Sequence, residues 1–170
     1  MSASFVAAHH LPRLNLPRRH LLLTAALLGA GCASRRPSDG RFWSGRISMQ
    51  VQSEPPQSFS ASFELSGSAE QGQLLLQSPL GTAVASARWN ASEAVLHSGQ
   101  EARLFRSMDE LLLQTTGAAL PLPALFDWLA GQQTAVAGWL TDLSKMAEGR
   151  LIAQRQSPAP ALQLRIILDR

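Results

Sequence analysis

The sequence predicts a mainly β fold of the α+β class, an antiparallel meander that forms a sandwich or a barrel. Three observations carry this. From residue 43 onward, apolar and polar residues alternate with a period of two, as in strands with one buried face. The alternating runs are short and recur about every 8–12 residues between clusters of Gly, Pro, Ser and Asn, as hairpin-linked strands do. One interval near the middle changes to helical spacing, with start and stop residues at its ends.

The chain opens differently. Leu21 to Gly31 is an uncharged apolar run of 11 residues, preceded by Arg13, Arg18 and Arg19 and followed by Cys32, the only cysteine. As a helix it would span about 16 Å at 1.5 Å per residue. A bilayer core needs about 20 residues, so the run suits a secretory leader and not a stable membrane span. Basic residues, a short apolar stretch, small residues and Cys resemble a bacterial lipoprotein signal peptide. The resemblance implies that Cys32 begins the mature protein and carries lipid. Cleavage there leaves about 139 residues, enough for one domain with one core. Residues 32–42 contain Pro37 and Gly40 among small and polar neighbours, which reads as a flexible tether. The chain thus divides into a leader of residues 1–31, a lipidated Cys32 with its tether to residue 42, and a β-domain over residues 43–170.

Within that domain, Ile47 to Val51 and Phe59 to Leu65 alternate on either side of a turn at Ser53 to Gln57. Leu74 to Leu76 is a short apolar strand closed by Gln77-Ser78-Pro79-Leu80-Gly81. Thr82 to Trp89 sets Ala83, Ala85, Ala87 and Trp89 on one side, and strands follow at Ala94 to Leu96 and Ala102 to Leu104. Ser107 and Glu110 then have the spacing of a capping box, and Gly117 ends a helix carrying Met108, Leu111 and Leu112. Pro121 and Pro123 open a second helix, where missing N–H groups cost nothing, with Leu122, Leu125, Phe126 and Leu129 on one face. Strands return at Trp139 to Leu143, Arg150 to Arg155 and Leu162 to Leu168.

Charge and chemistry exclude much. The full chain is basic, with formal charge +3 and pI near 10.4. Removing the leader removes three arginines and no acid, so basic and acidic residues then balance at 12 each. The electrostatic footprint of a nucleic-acid binder disappears. After Cys32 the only histidine is His97, at the edge of a turn, and with one His and a lipidated Cys32 no zinc set or Cys–His nucleophile pair is expected. No nucleotide loop or nucleophile elbow is present. The acidic residues fall on polar faces, turns and helix starts. The sequence therefore predicts no enzyme and no cofactor.

Four stretches in fixed order resemble one family. They are Trp43-Ser44-Gly45-Arg46, Leu76-Gln77-Ser78-Pro79-Leu80-Gly81, Asp109-Glu110-Leu111-Leu112 with Gly117, and Leu120-Pro121-Leu122-Pro123-Ala124-Leu125 with Trp128-Leu129-Ala130-Gly131. Behind a lipoprotein leader they resemble LolB, the family of outer-membrane lipoprotein receptors. The resemblance implies an incomplete antiparallel β-barrel with short helices covering a hydrophobic cavity. It implies a lipid-anchored monomer on the periplasmic face of a Gram-negative outer membrane, and Ala33 after the lipidated Cys32 is compatible with that placement. It implies the carrier LolA, lipoprotein acyl chains and outer-membrane phospholipid as partners. Leu80, between Pro79 and Gly81, matches the exposed loop leucine needed to release cargo into the membrane. On this reading Ile47, Met49, Phe63, Leu65, Leu112, Leu125 and Phe126 line the cavity, and ordinary core packing is the competing role for each. The rival function is a non-catalytic envelope lipoprotein that holds a lipid or braces an assembly partner.

Overall fold

A computed structural model describes residues 41–170. The leader, Cys32 and most of the tether lie outside the described residues. Nine strands and two helices follow the chain as β1 (Arg41–Val51), β2 (Gln57–Gly67), β3 (Gly72–Gln77), β4 (Ala83–Trp89), β5 (Ala94–Ser98), β6 (Glu101–Phe105), α1 (Met108–Thr116), α2 (Leu122–Leu129), β7 (Trp139–Asp142), β8 (Arg150–Arg155) and β9 (Leu162–Leu168). A 3-10 turn at Met146–Glu148 precedes β8. Arg41 and Phe42, expected in the tether, already belong to β1.

The strands form one antiparallel sheet in the order β6-β5-β4-β3-β2-β1-β9-β8-β7. Hairpins explain every neighbour except one, since β9 returns to pair with β1. β6 and β7 remain edges, so the sheet is open and barrel-like. Alternation fixes which face turns inward, because a slip of one residue would invert it. Ile47 stands opposite Ala61 and Ile166, and Met49 opposite Phe59 and Leu164. The residues between them, Ser48, Ser60 and Arg165, share the other face. Gly45 is needed where β1 crosses β9, because a Cβ there would collide with the Ile167 carbonyl oxygen.

The helices differ in how they are held. Ser107 Oγ accepts the Glu110 N–H at 3.1 Å, and Glu110 accepts the Arg106 N–H at 2.7 Å, so the acid reaches one residue beyond the cap. At the far end Gly117 takes φ 68° and donates its N–H to the Leu113 carbonyl at 2.9 Å. α1 buries only Met108 and Leu111. α2 buries Leu122, Ala124, Phe126, Trp128 and Leu129. Trp128 is 0 % exposed and donates its indole N–H to the Thr134 carbonyl at 2.9 Å. Trp43 donates to the Leu129 carbonyl at 3.1 Å, which ties β1 to the end of α2.

Antiparallel pairing gives the sheet two distinct ends. The β1–β2, β3–β4, β5–β6 and β8–β9 turns collect at one of them. The link between the helices comes to that same end. There the buried Arg155 donates to the carbonyls of Ala119 at 3.4 Å and Pro160 at 2.9 Å. The other end carries the start of β1 and the β2–β3, β4–β5 and β7–β8 connections.

Candidate functional site

Between the sheet and the helices lies a cavity of about 320 Å³. Its walls come from β1 to β5, β9 and both helices, and no ionisable side chain lines it. The strand registers give it a long axis. Trp89 pairs with Gly72 and Ala94, level with the first residue of β1. Two residues further along lie Leu65, Leu74, Ala87 and Leu96, and next come Phe63, Leu76 and Ala85. Ile47 with Ile166 follows, then Met49 with Phe59 and Leu164.

The two ends of this axis are unlike. Of the polar wall residues, Gln57 and Ser58 stand at one end, while Ser86 and Ser98 lie midway, level with Ala85 and its neighbour. Phe59 beside Gln57 and Ser58 is 37 % exposed, and this end is the mouth. At the opposite end Trp89 is buried, donates its indole N–H to the Ser68 carbonyl at 3.1 Å and meets the Phe126 ring edge-on at 6.4 Å. Gly72 makes room for that indole, since a Cβ there would stand 2.5 Å from the ring.

Of the residues expected on the cavity wall, Ile47, Met49, Phe63, Leu65, Leu112 and Leu125 are brought together there. Phe126 is placed elsewhere. It is 6 % exposed and packs edge-on to Trp43 at 5.4 Å and to Trp89, filling the core behind the closed end. Sequence reasoning missed Leu74, Leu76, Met108, Leu111, Leu164 and Ile166 as wall residues, although each was visible on an apolar face. It also saw Ala85, Ala87 and Trp89 as one side of a strand without seeing that they face empty space.

Pro79, Leu80 and Gly81 form the β3–β4 turn, at the same end of the sheet as the mouth. The Gly81 N–H donates to the Ser78 carbonyl at 2.9 Å, and the Ser78 N–H to the Thr82 carbonyl at 2.8 Å. Gly81 takes φ 80°, a conformation that suits glycine. Leu80 sits at the tip and is 93 % exposed, so it closes no core. His97 is exposed on β5. Among the described residues no group of three or more His, Cys, Asp or Glu side chains could hold a metal. No described helix is long and apolar enough to cross a membrane.

A family model described as "Outer membrane lipoprotein LolB" matches residues 42–160. The outer-membrane lipoprotein LolB of Cupriavidus pinatubonensis is 32 % identical over 159 residues, covering 86 % of this chain and 76 % of that protein. The chain belongs to the LolB family. The LolB match runs from β1 to the β8–β9 turn. β9 lies beyond it and still supplies Leu164 and Ile166 to the cavity wall.

Proposed function

We propose that this protein is an outer-membrane lipoprotein receptor that takes lipoproteins from the periplasmic carrier LolA and places them in the inner leaflet of the outer membrane. Cys32 is its site of lipid attachment, and the Pro79-Leu80-Gly81 turn touches the receiving membrane. The single observation that carries this is the cavity, whose walls carry no ionisable group. A 16-carbon acyl chain in water is about 13 kcal/mol uphill at about 0.8 kcal/mol per methylene. A lipidated protein therefore has to pass from one apolar enclosure to the next. Ile47, Met49, Phe63 and Leu65 from the sheet, with Leu112 and Leu125 from the helices, are the side chains that meet the acyl chains. Phe126 supports them from behind. Met49 adapts to chains that pack differently, because its unbranched thioether is flexible. The handover runs downhill by relative affinity. Support for the delivery step comes from Leu80, exposed on the same side as the mouth.

The test places a photo-crosslinking residue at position 63 of the whole protein and adds carrier loaded with a lipoprotein. Crosslinks to the cargo, with cargo leaving the carrier, are expected. A folded protein that leaves the carrier loaded would instead favour an envelope lipoprotein that only holds a lipid or braces a partner.

A further inference from the structure

We propose that Trp89 is the stop against which a chain's methyl end rests, and that Ala85 and Ala87 leave the bore through which the chain reaches it. This rests on the reading of the cavity as an acyl-chain site.

Three observations support the assignment. Trp89 is the wall residue furthest from the polar rim by strand register. It is held on three sides, by the hydrogen bond to Ser68, the edge contact with Phe126 and the bare backbone of Gly72, so it cannot easily swing aside. Above it, on the same strand and the same face, the wall is Ala87 and then Ala85, while their register partners are Leu74, Leu96 and Leu76. Leucines on β3 and β5 thus flank Ala87 and a leucine on β3 flanks Ala85, so the β4 wall is set back at the alanines. A bulkier residue at 85 would block the axis between mouth and stop. Its added carbons would enter empty space and not the packed core, since Ala85 lines the cavity and is not buried.

The consequence is selectivity by length. Chains short of the stop gain affinity with each added methylene, by about fourfold. Chains beyond it gain nothing further. Shortening the usable axis should therefore penalise long chains and spare short ones.

The experiment uses the full-length protein and saturated fatty acids from decanoate to stearate, each displacing a bound fluorescent fatty acid. In Ala85→Leu the ratio of palmitate to decanoate affinity should fall by about tenfold or more, with an unchanged or raised melting temperature. An unchanged ratio in the folded variant overturns the proposal. A second measurement needs no core substitution. Stearates carrying bromine near the methyl end or near the carboxylate are bound to the wild type, and quenching of Trp89 emission is isolated by comparison with Trp89→Phe. Stronger quenching from the methyl end is expected, and equal or weaker quenching overturns the proposal. If the wild type binds no fatty acid of any length, the acyl-chain reading of the cavity fails, which is distinct from binding without length selection.

Discussion

Leu80 gives nothing to the fold that holds it. Its side chain is 93 % exposed on a turn fixed by backbone hydrogen bonds, so its apolar surface is free for another phase. Insertion of one leucine in a membrane is worth about 1.5–3 kcal/mol. Leu80→Glu should therefore fold normally and accept lipoprotein from the carrier, yet fail to deposit it in liposomes. Unchanged deposition would reduce Leu80 to a turn residue. Trp128 is the opposite case, fully buried and hydrogen-bonded to Thr134. Trp128→Ala should cost about 3–5 kcal/mol in urea unfolding, the range for losing a buried aromatic side chain. Nothing in the alternation distinguished these roles, because exposure at a turn tip depends on what the neighbouring turns leave uncovered.

The two helices show what a pattern can and cannot tell. Their positions were legible from Ser107, Gly117, Pro121 and Pro123, each of which sits where its backbone chemistry requires. The strand positions, though not their total number, were legible for a similar reason, as a period of two broken by turn residues survives in short segments. Pairing of β9 with β1 was not, since nothing local links residues more than a hundred positions apart. Nor could the pattern separate wall from core. Leu125 and Phe126 are adjacent on α2, and one faces the cavity while the other fills space between Trp43 and Trp89. Inward direction is written in the sequence, but the distance to the opposite side is not. α1 is the lightly held helix, with two buried side chains and a cap that depends on Ser107. Ser107→Ala should destabilise the protein by about 1 kcal/mol, since the Glu110 N–H loses its acceptor. Hydrogen exchange should rise first in α1 and leave α2 protected, and equal loss in both helices would contradict this difference in anchoring.

Across the whole molecule the electrostatics are quiet where the cavity lies. No titratable side chain lines it, so fatty-acyl binding, read with an uncharged probe, should stay flat between about pH 6 and pH 8. Two carboxyls with lowered pKa values lie at exposed turns. Ser68 lowers the Glu70 carboxyl by side-chain hydrogen bonding, and Ser144 lowers that of Asp142 through its side chain and then its backbone N–H. Both groups are charged more easily in the folded state. Their contribution is present above the ordinary carboxylate range and is lost as pH falls through the lowered values. Acid should therefore weaken the fold without any change near neutrality, as measured by thermal melting against pH.

The unlike ends of the cavity also set an order of events. On the proposed function, with Trp89 sealing one end a lipoprotein would leave by the doorway through which it came, and Leu80 lies at that same end of the sheet. On that reading carrier and membrane would have to use it in turn. Loading and unloading would then form a queue and not a flow-through. Empty carrier added in excess should slow deposition into liposomes by occupying the doorway, even though it brings nothing and removes nothing. A deposition rate indifferent to empty carrier would require a second way out.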